Sequence, residues 1–148
     1  MKAITCLLPL AALTAGAASA APQANLVVNG GFETGDTSSW LDLGTPNSTF
    51  NVTSDSNSGS FGAEIFNPDQ TSAAVIKQVN LGAGLLAPGD LVTISFAAKG
   101  TFANGGVAFA ELFSEIAGGG VSSSEILTGA PLNLTGSWQS FSFTAAAG

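Results

Sequence analysis

The sequence predicts an all-β fold, an antiparallel sandwich, and three observations carry that prediction. Short runs alternate apolar and polar residues and are separated by clusters of Gly, Pro, Asn and Asp. Charged residues make up only 9% of the chain against 45% hydrophobic, with 19 Gly, a balance opposite to that of a disordered segment. Ten Phe and two Trp, joined by many Val, Leu and Ile, suffice for one sandwich core, so 148 residues imply one domain.

The first twenty residues read apart from that domain. Met1-Lys2 is a short basic start, Ala3 to Ala15 an apolar run, and Ala18-Ser19-Ala20 a small-residue cleavage site. The run is too short for a membrane span, and Cys6 sits too early for lipoprotein processing. The expectation is a signal peptide over 1–20, a tether over 21–24 and a domain over 25–148. The protein is then secreted, extracellular or at the cell surface, with no membrane insertion after cleavage.

Cleavage removes the only Cys and one of three cations, leaving Lys77 and Lys99 against ten acidic residues, a net charge of −8. The chain has no His and no Tyr, and both remaining cations are Lys. A protein tracking phosphates or anionic lipid needs the opposite balance, so nucleic acid is excluded as a partner. A neutral polysaccharide or a divalent cation suits such a surface. Disulfide and thiol chemistry leave with Cys6.

Taken in order, Leu26 to Val28 is apolar and partly β-branched, and reads as an opening strand. It stops at Asn29-Gly30-Gly31, where the backbone is free to take positive φ. Phe32 follows as a bulky anchor, and Glu33 sets a carboxylate beside turned backbone carbonyls. Two readings stand for Glu33: a ligand for a hard cation such as Ca²⁺, or a solvated side chain at a strand-to-loop transition. Trp40 reads as a core plug in preference to a sugar platform.

Thr49 to Thr53 alternates as a strand, and Asp55-Ser56-Asn57-Ser58-Gly59 is an oxygen-rich turn. Ser60 to Phe66 and Ala73 to Leu81 are further strands, split by a turn at Asn67-Pro68-Asp69-Gln70. Ala87-Pro88-Gly89-Asp90 suits a type II turn. Leu91 to Lys99 is the clearest strand, with Val92, Ile94, Phe96 and Ala98 on one face. Val107 to Ser114 alternates strictly between Gly runs and reads as a strand, with a helix over 108–116 as the competitor. Val121 to Leu127 is a weak strand, and Ser137 to Thr144 carries Phe141 and Phe143.

The opening "NLVVNGGFETG…W", with "IKQVNL…LAPGDLVTISFAAK" and "GSWQSFSFT", resembles carbohydrate-binding modules of families 4 and 9. These are secreted β-jelly rolls of the galactose-binding-like type. The opening is also similar to bacterial secreted proteins that carry a Pro-Glu-Pro sorting tail. The resemblance implies that Trp40 packs under the loop carrying Glu33. It implies a structural Ca²⁺ held by Glu33 and the Gly31 carbonyl, joined by Asp55 and Ser58. It also implies a last strand bearing an Asp-Asn pair, which this chain lacks. The expectation is a jelly roll truncated at its C-terminus, the sorting tail lost with it. A naturally short chain would instead leave an unpaired sheet edge. For Asp55 the alternative is an Asx-turn residue in solvent.

Catalysis finds little support. With no His, Tyr or Arg, and Cys6 lost at cleavage, only paired carboxylates remain, as in glycoside hydrolysis. Glu111 and Glu115 share a face but lie ~13 Å apart at ~3.3 Å per residue. Paired glycosidase acids stand ~5–9.5 Å apart. No enzymatic activity is expected.

Sugar recognition needs flat aromatic faces flanked by amides or carboxylates. Gln78, Phe109, Glu111, Phe113 and Gln139 are the candidates. Glu111 lies between two Phe on one face, and a charge there must be paired or solvated. Either the face is an open ligand-binding surface, or both Phe are core and Glu111 sits at the rim. Asn67 to Ser72 lacks the Trp or Tyr that the resembled family often places there. Three Asn-x-Ser/Thr sequons, at Asn47, Asn51 and Asn133, are incidental beside such a leader. The expected function is a non-catalytic module binding a neutral or weakly charged polysaccharide. A structural or adhesive surface protein, and the accessory domain of a larger polysaccharide hydrolase, are the alternatives.

Overall fold

A computed structural model describes residues 24–103, 105–115, 121–127 and 129–148. The expected signal peptide (1–20), and the tether except Ala24, lie outside the described residues. Among the described residues eight strands run in order: β1 (Leu41–Asp42), β2 (Thr49–Thr53), β3 (Gly62–Phe66), β4 (Ile76–Lys77), β5 (Leu91–Ala98), β6 (Glu111–Glu115), β7 (Val121–Ile126) and β8 (Gln139–Ala146). All ladders among the described residues are antiparallel and none of those residues is helical, so the fold is all-β as predicted. The helical alternative falls with it over 108–115, Ile116 lying outside the described residues. Among the described residues no helix is long and apolar enough to cross a membrane.

The strands pair as β1–β4, β2–β3, β5–β8 and β6–β7. The β5–β8 ladder is the longest, running from Leu91 opposite Ala146 to Ala98 opposite Gln139. Strict alternation along β5 causes this, since it gives one face of Val92, Ile94 and Phe96 to cover Ala145, Phe143 and Phe141. Phe96 stacks on Phe141 at 5.3 Å, and Phe143 lies 6.1 Å from Phe96. The opposite face pairs hydroxyls, Ser95 with Ser142 at 2.9 Å and Thr93 with Thr144 at 3.3 Å.

Several elements differ from expectation: the strand read over 107–114 is found at Glu111–Glu115, that over 60–66 at Gly62–Phe66, and three others differ as follows. Leu26 to Val28 joins no ladder among the described residues. The turn begins at Val28, and the remaining run is too short to pair. Instead the Val28 N–H donates to Gln78 Oε1 at 3.1 Å, and Gln78 Nε2 donates to the Val28 carbonyl. A side-chain amide offers one donor group and one acceptor, so it substitutes for a neighbouring strand. The strand expected over 73–81 shortens to β4, ended by Asn80 at φ 59°. Its pairing with β1 still extends through Leu43 N–H to the Val75 carbonyl (2.9 Å) and Thr45 N–H to the Ala73 carbonyl (2.8 Å). The last strand lies two residues later than read, at Gln139–Ala146.

Phe32, Leu132 and Ala145 are the buried hydrophobic residues among those described. Phe32 stacks on Trp40 at 5.4 Å and meets Phe50 edge-on at 6.1 Å. Trp40 is half-buried, and its indole N–H donates to the Asn29 carbonyl at 3.2 Å. The Trp therefore plugs the opening turn. Phe32→Ala is expected to cost about 3 kcal/mol, the cavity cost of a buried ring, read as a lower urea midpoint at unchanged slope.

Two exposed carboxylates brace loops. The Ser38 and Thr34 hydroxyls and the Ser38 N–H hold Asp36 below the usual carboxylate range. The Thr71 and Ser72 hydroxyls and the Thr71 N–H do the same for Asp69. A lowered folded-state pKa gives stability that is present above the ordinary value of 3.8 and lost as pH falls through the folded value. Melting temperature should hold from neutrality to about pH 5 and fall below pH 4. Asp36→Asn with Asp69→Asn should flatten that acid limb.

Candidate functional site

Short pairing between β1 and β4 sets one face of the site. Leu41 opposes Lys77, and Leu43 bonds to Val75, so these four side chains share a side of the ladder. Leu41, Leu43 and Val75 are exposed there. Lys77 then reaches β6, where its Nζ lies 3.1 Å from Glu115 Oε1 and 4.7 Å from the centre of the Phe113 ring.

Along 107–115 exposure alternates with the parity read from sequence. Val107, Phe109, Glu111, Phe113 and Glu115 are exposed, while Ala108, Ala110, Leu112 and Ser114 are half-buried. On the inner side, the Ser114 hydroxyl accepts the Gly148 N–H at 2.9 Å. Phe109 and Phe113, 48% and 39% exposed, therefore flank Glu111 on an open surface continuous with Lys77. Glu111 makes no side-chain hydrogen bond among the described residues. Apolar ring faces beside a free carboxylate can take the C–H face of a sugar and accept its hydroxyls.

Structure brings Phe109, Glu111 and Phe113 together and leaves the two glutamines elsewhere. Gln78 is held by Val28. Gln139 Oε1 accepts the Thr135 N–H at 2.8 Å, and its Nε2 donates to the Asn133 carbonyl at 3.3 Å, tying the loop before β8. Sequence reasoning missed Leu41, Leu43, Val75, Lys77 and Glu115. The shared parity of Val75 and Lys77 was the available signal, but a two-residue β1 leaves no periodicity to place beside it.

The expected cation ligands take other partners. Both Glu33 oxygens accept the Ser60 N–H, at 3.1 and 3.0 Å, and Oε1 also accepts the Phe61 N–H at 3.3 Å. Gly59, at φ 75°, makes room for this, because a Cβ there would collide with Oε1. Asp55 is paired with Lys99 at 2.6 Å, and that ammonium lies 5.0 Å over the Trp138 ring. Among the described residues no group of three or more Asp, Glu, His or Cys gathers. Calcium wants six to eight oxygens, and here the Glu33 and Asp55 carboxylates are already engaged by amide N–H groups and an ammonium. With Glu33 and Asp55 so engaged, the expected set of Gly31, Glu33, Asp55 and Ser58 presents no free carboxylate to a cation. Melting curves with Ca²⁺ and with chelator should superimpose, whereas Glu33→Gln should cost about 1 kcal/mol, a charge-assisted hydrogen bond discounted for exposure. Gly59→Ala should cost at least as much.

Residues 24–146 match the model of the family CBM_4_9, described as a carbohydrate binding domain. No curated protein and no solved structure matches the chain.

Proposed function

The chain belongs to the carbohydrate-binding domain family CBM_4_9, and from that premise we propose that it is a secreted, non-catalytic module for an uncharged polysaccharide. The observation that carries this reading is the open row of Phe109, Glu111 and Phe113, extended by Lys77 and the Leu41–Leu43 edge. The rings and aliphatic side chains contact the apolar faces of successive sugars, and Glu111 accepts hydroxyl hydrogen bonds. Such a face is open, so a chain can run across it. Affinity then comes from many weak contacts.

Charge supports the uncharged polymer. Lys77 and Lys99 are each committed to a carboxylate and an aromatic ring, leaving no free Lys or Arg among the described residues for a uronate or sulfate. Non-catalytic binding is supported by the carboxylates themselves, since Glu111 and Glu115 share one strand and Glu115 is tied to Lys77. The apolar leader of residues 1–20 supports export.

Electrophoresis through gels containing xylan, β-glucan or alginate tests the reading. Retardation is expected in a neutral polymer and not in alginate, with little change on adding salt. Phe109→Ala and Phe113→Ala should each weaken it about three- to tenfold, the worth of one aromatic contact. Uniform mobility in every gel rejects the function and favours a structural role.

A further inference from the structure

We propose that Phe109 and Glu111 form a subsite for a primary ammonium group, so that the strand face prefers a polysaccharide carrying free amino sugars over its N-acetylated form. This rests on the sugar-binding reading of the face and adds to it the charge of one substituent. The sequence runs Phe109-Ala110-Glu111 and then Phe113-Ser114-Glu115, so the pattern Phe-x-Glu occurs twice in succession. Exposure keeps the same parity through both, which turns each ring and its carboxylate to one side. The second copy holds an ammonium. Lys77 Nζ lies 3.1 Å from Glu115 Oε1 and 4.7 Å from the centre of the Phe113 ring.

The first copy has the same groups and no ammonium. Glu111 makes no side-chain hydrogen bond among the described residues, and its cross-strand neighbour Ile126 brings no donor. Lys77 and Lys99 are the Lys and Arg side chains among those residues, and both are engaged, Lys99 by Asp55 and the Trp138 ring. An ammonium for Glu111 therefore comes from a ligand. A metal ion is a poor match, because one carboxylate between apolar rings lacks an oxygen shell, and no group of three or more Asp, Glu, His or Cys gathers among the described residues. The amino group of a pyranose stands where a hydroxyl would, so a sugar lying on the rings brings it to Glu111 in the same pose. There it is drawn by the carboxylate and by the electron-rich ring face together, and an N–H bond between two charges is stronger than one between neutral groups. N-acetylation removes that charge. The ten acidic residues of the chain attract a cationic polymer to the face, and membership of a carbohydrate-binding family favours a sugar over a basic peptide as its source.

Titration calorimetry with the tetramer of glucosamine and with its fully N-acetylated form tests the subsite, at a pH below neutrality where the amines are protonated. The glucosamine tetramer should bind about fivefold tighter at low salt, and the margin should shrink as salt is added. Glu111→Gln should erase the margin while leaving the N-acetylated tetramer bound, since Gln still accepts hydroxyls. Glu64→Gln removes the same charge from an exposed position on β3 and should keep the margin, thermal melts confirming that both variants fold. Equal affinity for the two tetramers overturns the subsite. Equal loss in Glu64→Gln also overturns it, because the attraction would then belong to the acidic surface at large. A lysine tetrapeptide that binds as tightly as the glucosamine tetramer, with the same dependence on Glu111, overturns the amino sugar as its ligand. Uniform mobility in the neutral gels beside Glu111-dependent binding of the glucosamine tetramer would fail the neutral-polymer reading and spare the subsite.

Discussion

The carboxylate of Glu33, seated on the amides of Ser60 and Phe61, is the constraint from which the rest follows. It joins residues 27 and 28 positions apart and fixes the opening turn against the start of β3. That turn is itself costly, because Asn29 and Phe32 both adopt positive φ. The clamp and the burial of Phe32 together offset the strain. Phe32 in turn holds Trp40, and β1 begins at the next residue. The register of β1 on β4 places Lys77, and Lys77 reaches over Phe113. An acidic side chain in the first loop therefore governs the geometry of a face some eighty residues later.

Both lysines of the domain do the same thing in different places. Lys77 bridges 38 residues to Glu115 and covers Phe113, and Lys99 bridges 44 residues to Asp55 and covers Trp138. Exposed ion pairs are worth at most ~1 kcal/mol, so neither holds the fold by itself. Their effect is on charge and position. Each ammonium fixes the orientation of an aromatic ring and is neutralised as it does so. The surface keeps its acidic excess, and the aromatic face presents no unpaired cation among the described residues.

Much of this architecture is legible in the chain. The alternation of β5 and of 107–115 predicts which side chains share a face, and exposure follows that parity residue by residue. Trp40 as a plug was legible because a large ring after a tight glycine turn has one place to go. The rest was hidden for physical reasons. A two-residue strand such as Leu41–Asp42 carries no periodic signal, so half of the face had no address. Gln78 and Gln139 offer the same amide to a sugar or to a backbone, and Gln78 finds its backbone partner 50 residues away. Glu33 has the same ambiguity in sharper form. A carboxylate beside turned peptides suits a cation if carbonyls face it and needs none if N–H groups do, and composition cannot say which way peptides point.

The proposed strand face and the loops around Trp40 differ in what supports them. Phe109, Glu111 and Phe113 stand on or directly beside a strand whose inner face is anchored through Ser114, so their spacing is set by backbone geometry. Repeating ring faces at strand spacing favour an extended polymer over any one sugar. Ser39, Trp40 and Asn80 lie on loops, where position depends on strained backbone and on the Phe32 stack.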